Sequence, residues 1–291
     1  MPRWQGKSRG TTLGYRIFVS VLKRFGVLPA YFLLRFVAFY YFLFSYGSSK
    51  HIFAYYNRKH GYNKIRSLLL VYQNYYLFGQ TMIDKVVLMS GLPHRFSFDF
   101  DGEHYLRKMI DGGRGGLLLS AHIGNWEAAG HLLNRLNTRF NIVVFDGEHQ
   151  KIKQYMEQVT GAKNFNVIVL RNDLSHVYEI MDAFKNNEIV CMHADRFVEG
   201  NKTITANLLG SDAEFPAGPF VIATRLKVPV SFVFAMKESD QHYHFYATKP
   251  KEYLKSSGKE IQDICNEYVL AMEEQVRRYP VQWFNYYKFW N

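Results

Sequence analysis

His122 and Glu127, five positions apart in Ser120-Ala121-His122-Ile123-Gly124-Asn125-Trp126-Glu127, are residue types that can move a proton together. An imidazole next to a carboxylate acts as a general base on a hydroxyl or an amine. The carboxylate fixes the ring tautomer and stabilises its charged form. The spacing alone is weak, because the chain holds 11 histidines. The flanking residues add to it. Leu117-Leu118-Leu119 reads as a buried parallel strand, and Trp126 to Leu133 as a helix. Gly124 permits a tight turn between them, and Asn125 is a helix N-cap candidate as well as a candidate substrate contact. His122 then leaves the carboxyl end of a strand, where open α/β sheets place their sites. Glu127 also fits an ordinary first-turn glutamate facing the helix dipole.

Three further residues fall at the same kind of position. Arg171 follows the Val167-Ile168-Val169-Leu170 strand, where a guanidinium can hold a phosphate or assist an oxyanion. It also fits a surface arginine closing a strand. Asp195 and Arg196 follow the Ile189–Met192 strand and are candidate substrate contacts or a local ion pair. His193 reads as structural. Cys191 and Cys265 lack metal-ligand spacing and read as free thiols of a reducing compartment. No metal site and no bound organic cofactor is expected. No G-x-x-x-x-G-K-[ST], G-x-S-x-G or G-x-G-x-x-G stands where it could act, which disfavours nucleotide hydrolysis, serine hydrolase chemistry and dinucleotide redox.

The elements that must carry these residues alternate. Strands are expected at Leu117–Ser120, Asn141–Phe145, Asn166–Leu170, Ile189–Met192, Thr203–Asn207, Val230–Met236 and His242–Thr248. Helices are expected at Asn125–Leu136, Gln150–Thr160, Leu174–Asn186, Gly218–Leu226 and Lys259–Arg278. This alternation predicts an α/β fold with a mostly parallel central sheet flanked by helices.

Charge and hydropathy divide the chain. Residues 1–83 hold twelve Lys or Arg and no Asp or Glu, so the net charge of +11 belongs to the N-terminal part. Val27 to Tyr46 is a window of about 20 residues, long enough for a bilayer and rich in Phe and Tyr. Arg35 near its centre costs about 2.5–3.5 kcal/mol on insertion scales, so one span or a helix lying in one leaflet both fit. Basic flanks favour the cytoplasmic leaflet of an anionic membrane. A nucleic-acid partner is disfavoured, because the charges interleave with apolar residues instead of forming a recognisable module. Two regions are expected: 1–90, a basic, aromatic-rich, membrane-associated helical region, and 91–291, a catalytic α/β domain. Residues 1–46 are expected to be separable from the α/β core. Ile65, Leu68, Leu69, Tyr72, Tyr76, Met82, Val86 and Met89 form a helical stripe expected in the core.

The motifs together resemble one family. The segment around His122 and Glu127 is similar to the H-x-x-x-x-D/E block of the lysophospholipid acyltransferase superfamily. Ser-Ala-His-Ile-Gly-Asn-Trp-Glu looks like its late acyltransferases of lipid A biosynthesis. His193-Ala194-Asp195-Arg196, Phe215-Pro216-Ala217-Gly218-Pro219, Val228-Pro229-Val230 and Pro280-Val281-Gln282-Trp283 agree in order. The resemblance spans roughly residues 15–290. It implies acyl transfer from a thioester, acyl carrier protein or CoA, to a hydroxyl or amine of a lipid. His122 would be the base, Glu127 its orienter, and Arg171 a functional residue. It places the protein at the cytoplasmic face of the inner membrane and favours a lipid A precursor-like acceptor. Asp146-Gly147-Glu148-His149 departs from it, being less basic than a bis-phosphorylated acceptor would suit. Aminolipid and glycerolipid acyltransferases, and an inactive lipid-binding scaffold, are the alternatives.

Overall fold

A computed structural model describes residues 12–125, 128, 136, 138–145, 166–171, 173, 175–198, 200–255 and 257–290 of the 291. Four helices come first: α1 (Thr12–Phe25), α2 (Val27–Phe44), α3 (Tyr46–Ala54) and α4 (Lys64–Ser90), with a π-helical turn at Tyr55–Lys59. Asn63 caps α4 through its side chain, 2.9 Å from the Arg66 amide, and Gly91 ends it in the left-handed region.

The α/β part follows: β1 (Ser97–Asp101), α5 (Glu103–Asp111), β2 (Gly116–Ser120), β3 (Phe140–Phe145), β4 (Asn166–Leu170), α6 (Ser175–Lys185), β5 (Ile189–His193), β6 (Thr203–Leu208), β7 (Ser211–Pro216), α7 (Ala217–Leu226), β8 (Val230–Ser239), β9 (His242–Ala247) and α8 (Gly258–Arg278). Seven strands form one sheet in the order β1-β9-β8-β2-β5-β3-β4. The five from β8 to β4 are parallel; β9 runs against β8, and β1 follows β9. The sheet is therefore mostly parallel, as its run of apolar strands implies.

Both faces are covered. On one face Leu117, Leu119, Val190 and Phe232 pack with Phe220 of α7 and Ile264 and Tyr268 of α8. On the other, Leu118, Ile189 and Phe140 pack with Leu106 and Met109 of α5 and with Leu136. Alternate residues of each strand serve opposite layers, so a one-residue slip of β2 would exchange the two sets.

The seven expected strands are all present, within three residues at their ends. β1, α5 and β7 are additional. β6 and β7 form a separate hairpin closed by Leu209 and Gly210, both at positive φ, 53° and 75°. The expected helix Gln150–Thr160 and most of Asn125–Leu136 lie outside the described residues, as does Asp146–His149.

Two N-terminal expectations are corrected. In the α4 stripe, Ile65, Leu68 and Leu69 face outward, at 77%, 50% and 61% exposure. The buried side of that half instead carries Ser67, Val71, Asn74 and Tyr75. Asn74 is stable there because it donates to the carbonyls of Val281 and Trp283 at 2.9 and 3.0 Å. Part of α2, before Tyr46, is also built into the body. Val27, Ala30, Tyr31, Leu34 and Ala38, a helical stripe, are buried, and Ala38 shares a core cluster with Leu117 and Val190.

Candidate active site

β2 and β5 are neighbours, with Ser120 opposite His193. Two residues further on, His122 and Asp195 therefore leave the same edge side by side. His122 Nδ1 lies 2.7 Å from one Asp195 carboxylate oxygen, and the His122 backbone N–H donates to the other at 3.0 Å. Asp195 is 1% exposed, whereas the His122 side chain keeps 28%. Burial pushes the Asp195 carboxyl up, but the His122 charge, its hydrogen bond and the Arg196 guanidinium outweigh this and hold it well below the usual carboxylate range. An ionised Asp195 accepts from Nδ1–H. The lone pair of the neutral ring is then on Nε2, the nitrogen pointing away from Asp195.

His193 lies against this pair, its ring centroid 4.2 Å from that of His122. Burial, and then the His122 charge, lower its pKa well below that of an ordinary histidine, so it is neutral near pH 7. His122, His193 and Asp195 bring three ligand-type atoms within 4.8 Å of one another. Because Nδ1 is taken by one Asp195 oxygen and the His122 backbone N–H by the other, the group reads as a proton-handling dyad with a neutral neighbour.

The turn that carries His122 is clamped from two sides. The Gly124 N–H donates to the Gln282 carbonyl at 2.8 Å, and the Phe284 N–H to the His122 carbonyl at 3.0 Å. On the other side the Asn125 N–H reaches the Ala235 carbonyl of β8 at 2.7 Å. Gly124 has φ 64°, and a Cβ there would collide with the Ala235 carbonyl oxygen. Only glycine meets both demands. The Pro280–Trp283 segment thus has a local reason to be there: it closes the turn.

The other candidates named from the sequence are dispersed. Asn125 Oδ1 accepts from the Ala128 amide at 3.3 Å, and its Nδ2 donates to Tyr243 and the Thr81 carbonyl. It is buried against protein groups. Arg196 donates to the Phe284 carbonyl at 2.6 Å and braces the same C-terminal segment. Arg171 ends β4, three strands from β2 in the sheet order, or about 14 Å at the usual strand spacing. It is exposed and bound to Glu179 and Ser175 at 3.1 and 3.2 Å, and no described contact joins it to His122. Glu127 lies outside the described residues. The carboxylate seen on Nδ1 is that of Asp195, a role that spacing along the chain did not reveal because it depends on strand order. Among the described residues, Gln282 also holds the turn, and its sequence signal was the terminal Pro-Val-Gln-Trp.

Beside the dyad an apolar hollow opens on one sheet face, lined by Leu118, Phe140, Cys191, Val233 and Phe245, with Ser120 and His193 at its polar margin. Its described lining contains nothing from Val27–Met89. An α/β sheet with a carboxylate-held histidine at a strand end, next to a greasy hollow, defines a protein equipped for base-assisted attack on an apolar substrate.

The profile of the bacterial lipid A biosynthesis acyltransferase family matches residues 68–291, and the chain belongs to that family. It is similar to a phosphatidylinositol mannoside acyltransferase of Mycolicibacterium smegmatis, 21% identical over 180 residues, which is 62% of this chain and 58% of that one. It is also similar to one of Mycobacterium tuberculosis, 24% identical over 123 residues, 42% and 39% of the two chains. The matches thus span less than two thirds of the length of these relatives.

Proposed function

We propose that the protein is a membrane-associated acyltransferase that moves a fatty acyl group from a thioester to a hydroxyl or amine of a lipid. The observation that carries this is the His122–Asp195 pair, 2.7 Å apart, against His193 at the margin of an apolar hollow. Nε2 of His122 takes the proton of the acceptor O–H or N–H as that atom attacks the thioester carbonyl. The tetrahedral adduct collapses, the C–S bond breaks, and the imidazolium returns the proton to the departing thiolate. Asp195 stabilises the imidazolium between those events. The hollow receives the acyl tail, each buried methylene contributing about 0.8 kcal/mol. Glu127 is retained as a second carboxylate of the catalytic motif. Arg171, on the same sheet edge, suits a headgroup phosphate. No metal enters this scheme, and acyl carrier protein or CoA serves as donor.

A lipid A precursor-like acceptor is favoured by the motif block, and the substrate in the relatives' names, a mannoside of phosphatidylinositol, extends the class to glycosylated phospholipids. Residues 91–291 form the catalytic part in this reading and 1–90 the membrane-facing part. α2 is the one helix among the described residues long and apolar enough to cross a membrane, with mean hydropathy 1.7. One stripe of it is buried, while Phe32, Phe36, Phe39 and Leu43 are more than half exposed. A helix with one face in the protein and the other bare suits an in-plane seat in the cytoplasmic leaflet of the inner membrane. The anionic phospholipid headgroups would meet its basic neighbours. Lipid profiling of a deletion strain, complemented by wild type or His122→Ala, tests the reading. One acylated lipid should vanish and return only with wild type; its return with His122→Ala overturns the mechanism.

A further inference from the structure

Asp84 of α4 and Lys237 of β8 form an ion pair that the proposed chemistry does not use. Nζ of Lys237 lies 2.6 Å from the Asp84 carboxylate, with the two side chains 2% and 0% exposed. Lys237 also donates to the Tyr31 hydroxyl at 2.9 Å and the Asp240 carbonyl at 2.8 Å. The hydroxyls of Tyr31 and Tyr243 both donate to the Asp84 carboxylate. A buried pair of this kind is not a ready source of net stability, since desolvation offsets most of the attraction. Its hydrogen bonds fix positions instead.

Two arms lead from it to the turn that holds His122. Along the first, the Tyr243 hydroxyl accepts from Asn125 Nδ2 at 3.1 Å. Along the second, the Gln282 side chain grips the Lys237 backbone, accepting from its N–H at 2.9 Å and donating to its carbonyl at 2.7 Å. The Gln282 carbonyl then accepts from the Gly124 N–H at 2.8 Å. Gly124 and Asn125 lie two and three residues beyond the imidazole.

Resting on the acyl-transfer reading, we propose that the buried Asp84–Lys237 pair is a positioning device for His122, acting through Tyr243 on Asn125 and through Gln282 on Gly124. A base must be held close to its productive geometry, and a displacement of about 1 Å can lower turnover about 10²-fold.

Tyr243→Phe removes one hydroxyl from the Asp84 carboxylate and unties Asn125. Tyr31→Phe removes a hydroxyl from the same carboxylate and leaves Asn125 untouched. Turnover of an acyl thioester by the full chain in lipid vesicles should fall about tenfold or more in kcat for Tyr243→Phe, with KM unchanged. Tyr31→Phe should stay within about twofold of wild type. Combining Tyr243→Phe with Asn125→Ala should lower kcat no further than Asn125→Ala alone. The proton resonance of His122 Nδ1–H should move in Tyr243→Phe and hold still in Tyr31→Phe. Equal kcat losses for the two hydroxyl variants, in step with their melting temperatures, would make the pair merely structural and overturn the proposal. So would additive losses in the double variant. Should His122→Ala itself keep full turnover, the role of His122 as base fails, and the Nδ1–H resonance still decides whether the pair positions the ring.

Discussion

His122 has the partner and the partly exposed setting that a base requires, so the sharpest tests are single side chains. His122→Ala should lower acyl transfer about 10²–10⁴-fold in a chain that still folds, with a melting temperature reduced because the buried Asp195 carboxylate loses its partner. Asp195→Asn keeps the shape but replaces a pure acceptor by an amide. The ring loses its fixed tautomer and the imidazolium its counter-charge, so kcat should drop by a similar factor with little change in KM. The same carboxylate should mark acid stability. Its folded pKa is depressed, so it contributes stability that is fully present above the unfolded value of about 3.9 and disappears as pH falls below that toward the folded value. In thermal melts the advantage of wild type over Asp195→Asn should hold from pH 7 to about pH 5 and shrink below about pH 4. An advantage that does not shrink in acid would mean that Asp195 is not ionised against His122. Of the site, the position of His122 at a strand end was legible, because it follows an apolar run and precedes a glycine. Its partner was not. Asp195 is 73 positions away, and only the adjacency of β2 and β5 brings the two together.

At the level of elements, strands with continuous apolar runs declared themselves, and their limits were set by the residues that follow them. β1 escaped notice because Ser97-Phe98-Asp99-Phe100-Asp101 shows only two apolar residues, as suits an edge strand paired on one side to β9. α5 is nine residues long and buries little besides Leu106 and Met109. The apolar hollow depends on strand order, and proximity along the chain does not reveal it. It lies between strands and α5, because strand alternation sends Leu118 and Cys191 to that face. Enlarging its wall should therefore change chain-length preference. Leu118→Phe and Val233→Phe should shift turnover toward shorter acyl thioesters, with short-chain turnover kept within about threefold; each methylene excluded removes about 0.8 kcal/mol of binding. Identical chain-length profiles for wild type and both variants would place the tail elsewhere. Tyr72, Tyr76 and Met82, which line no part of the described hollow, should leave the profile unchanged when enlarged.

For the molecule as a whole, the N-terminal charge asymmetry was plain in the sequence, whereas the tie of the N-terminal helices to the sheet was not. Tyr31 and Asp84 are 53 positions apart, and Asp84 and Lys237 are 153; no periodicity connects them. The consequence is that α2 has two duties. Its bare stripe of Phe32, Phe36 and Phe39 faces away from the protein, and its buried stripe completes a core cluster with Val86, Val87 and Phe245. These duties can be separated by experiment. Replacing Phe32, Phe36 and Phe39 by Ser should release the protein from anionic vesicles with its melting temperature nearly unchanged, since the three side chains touch solvent already. High salt should release intact protein only in part, because apolar insertion is not screened as surface charge is. Deleting residues 1–46 should act differently. It strips Val27, Tyr31 and Leu34 from the core, each contributing about 1.5–3 kcal/mol of buried apolar surface. It also takes one donor from a buried carboxylate, a further loss of about 1–3 kcal/mol. The truncated chain should melt far below wild type or fail to fold, and thermal unfolding in detergent would show it. A truncated chain that melts with wild type would mean that α2 is only an anchor, and that the Tyr31 hydroxyl can be lost from the Asp84–Lys237 pair without consequence.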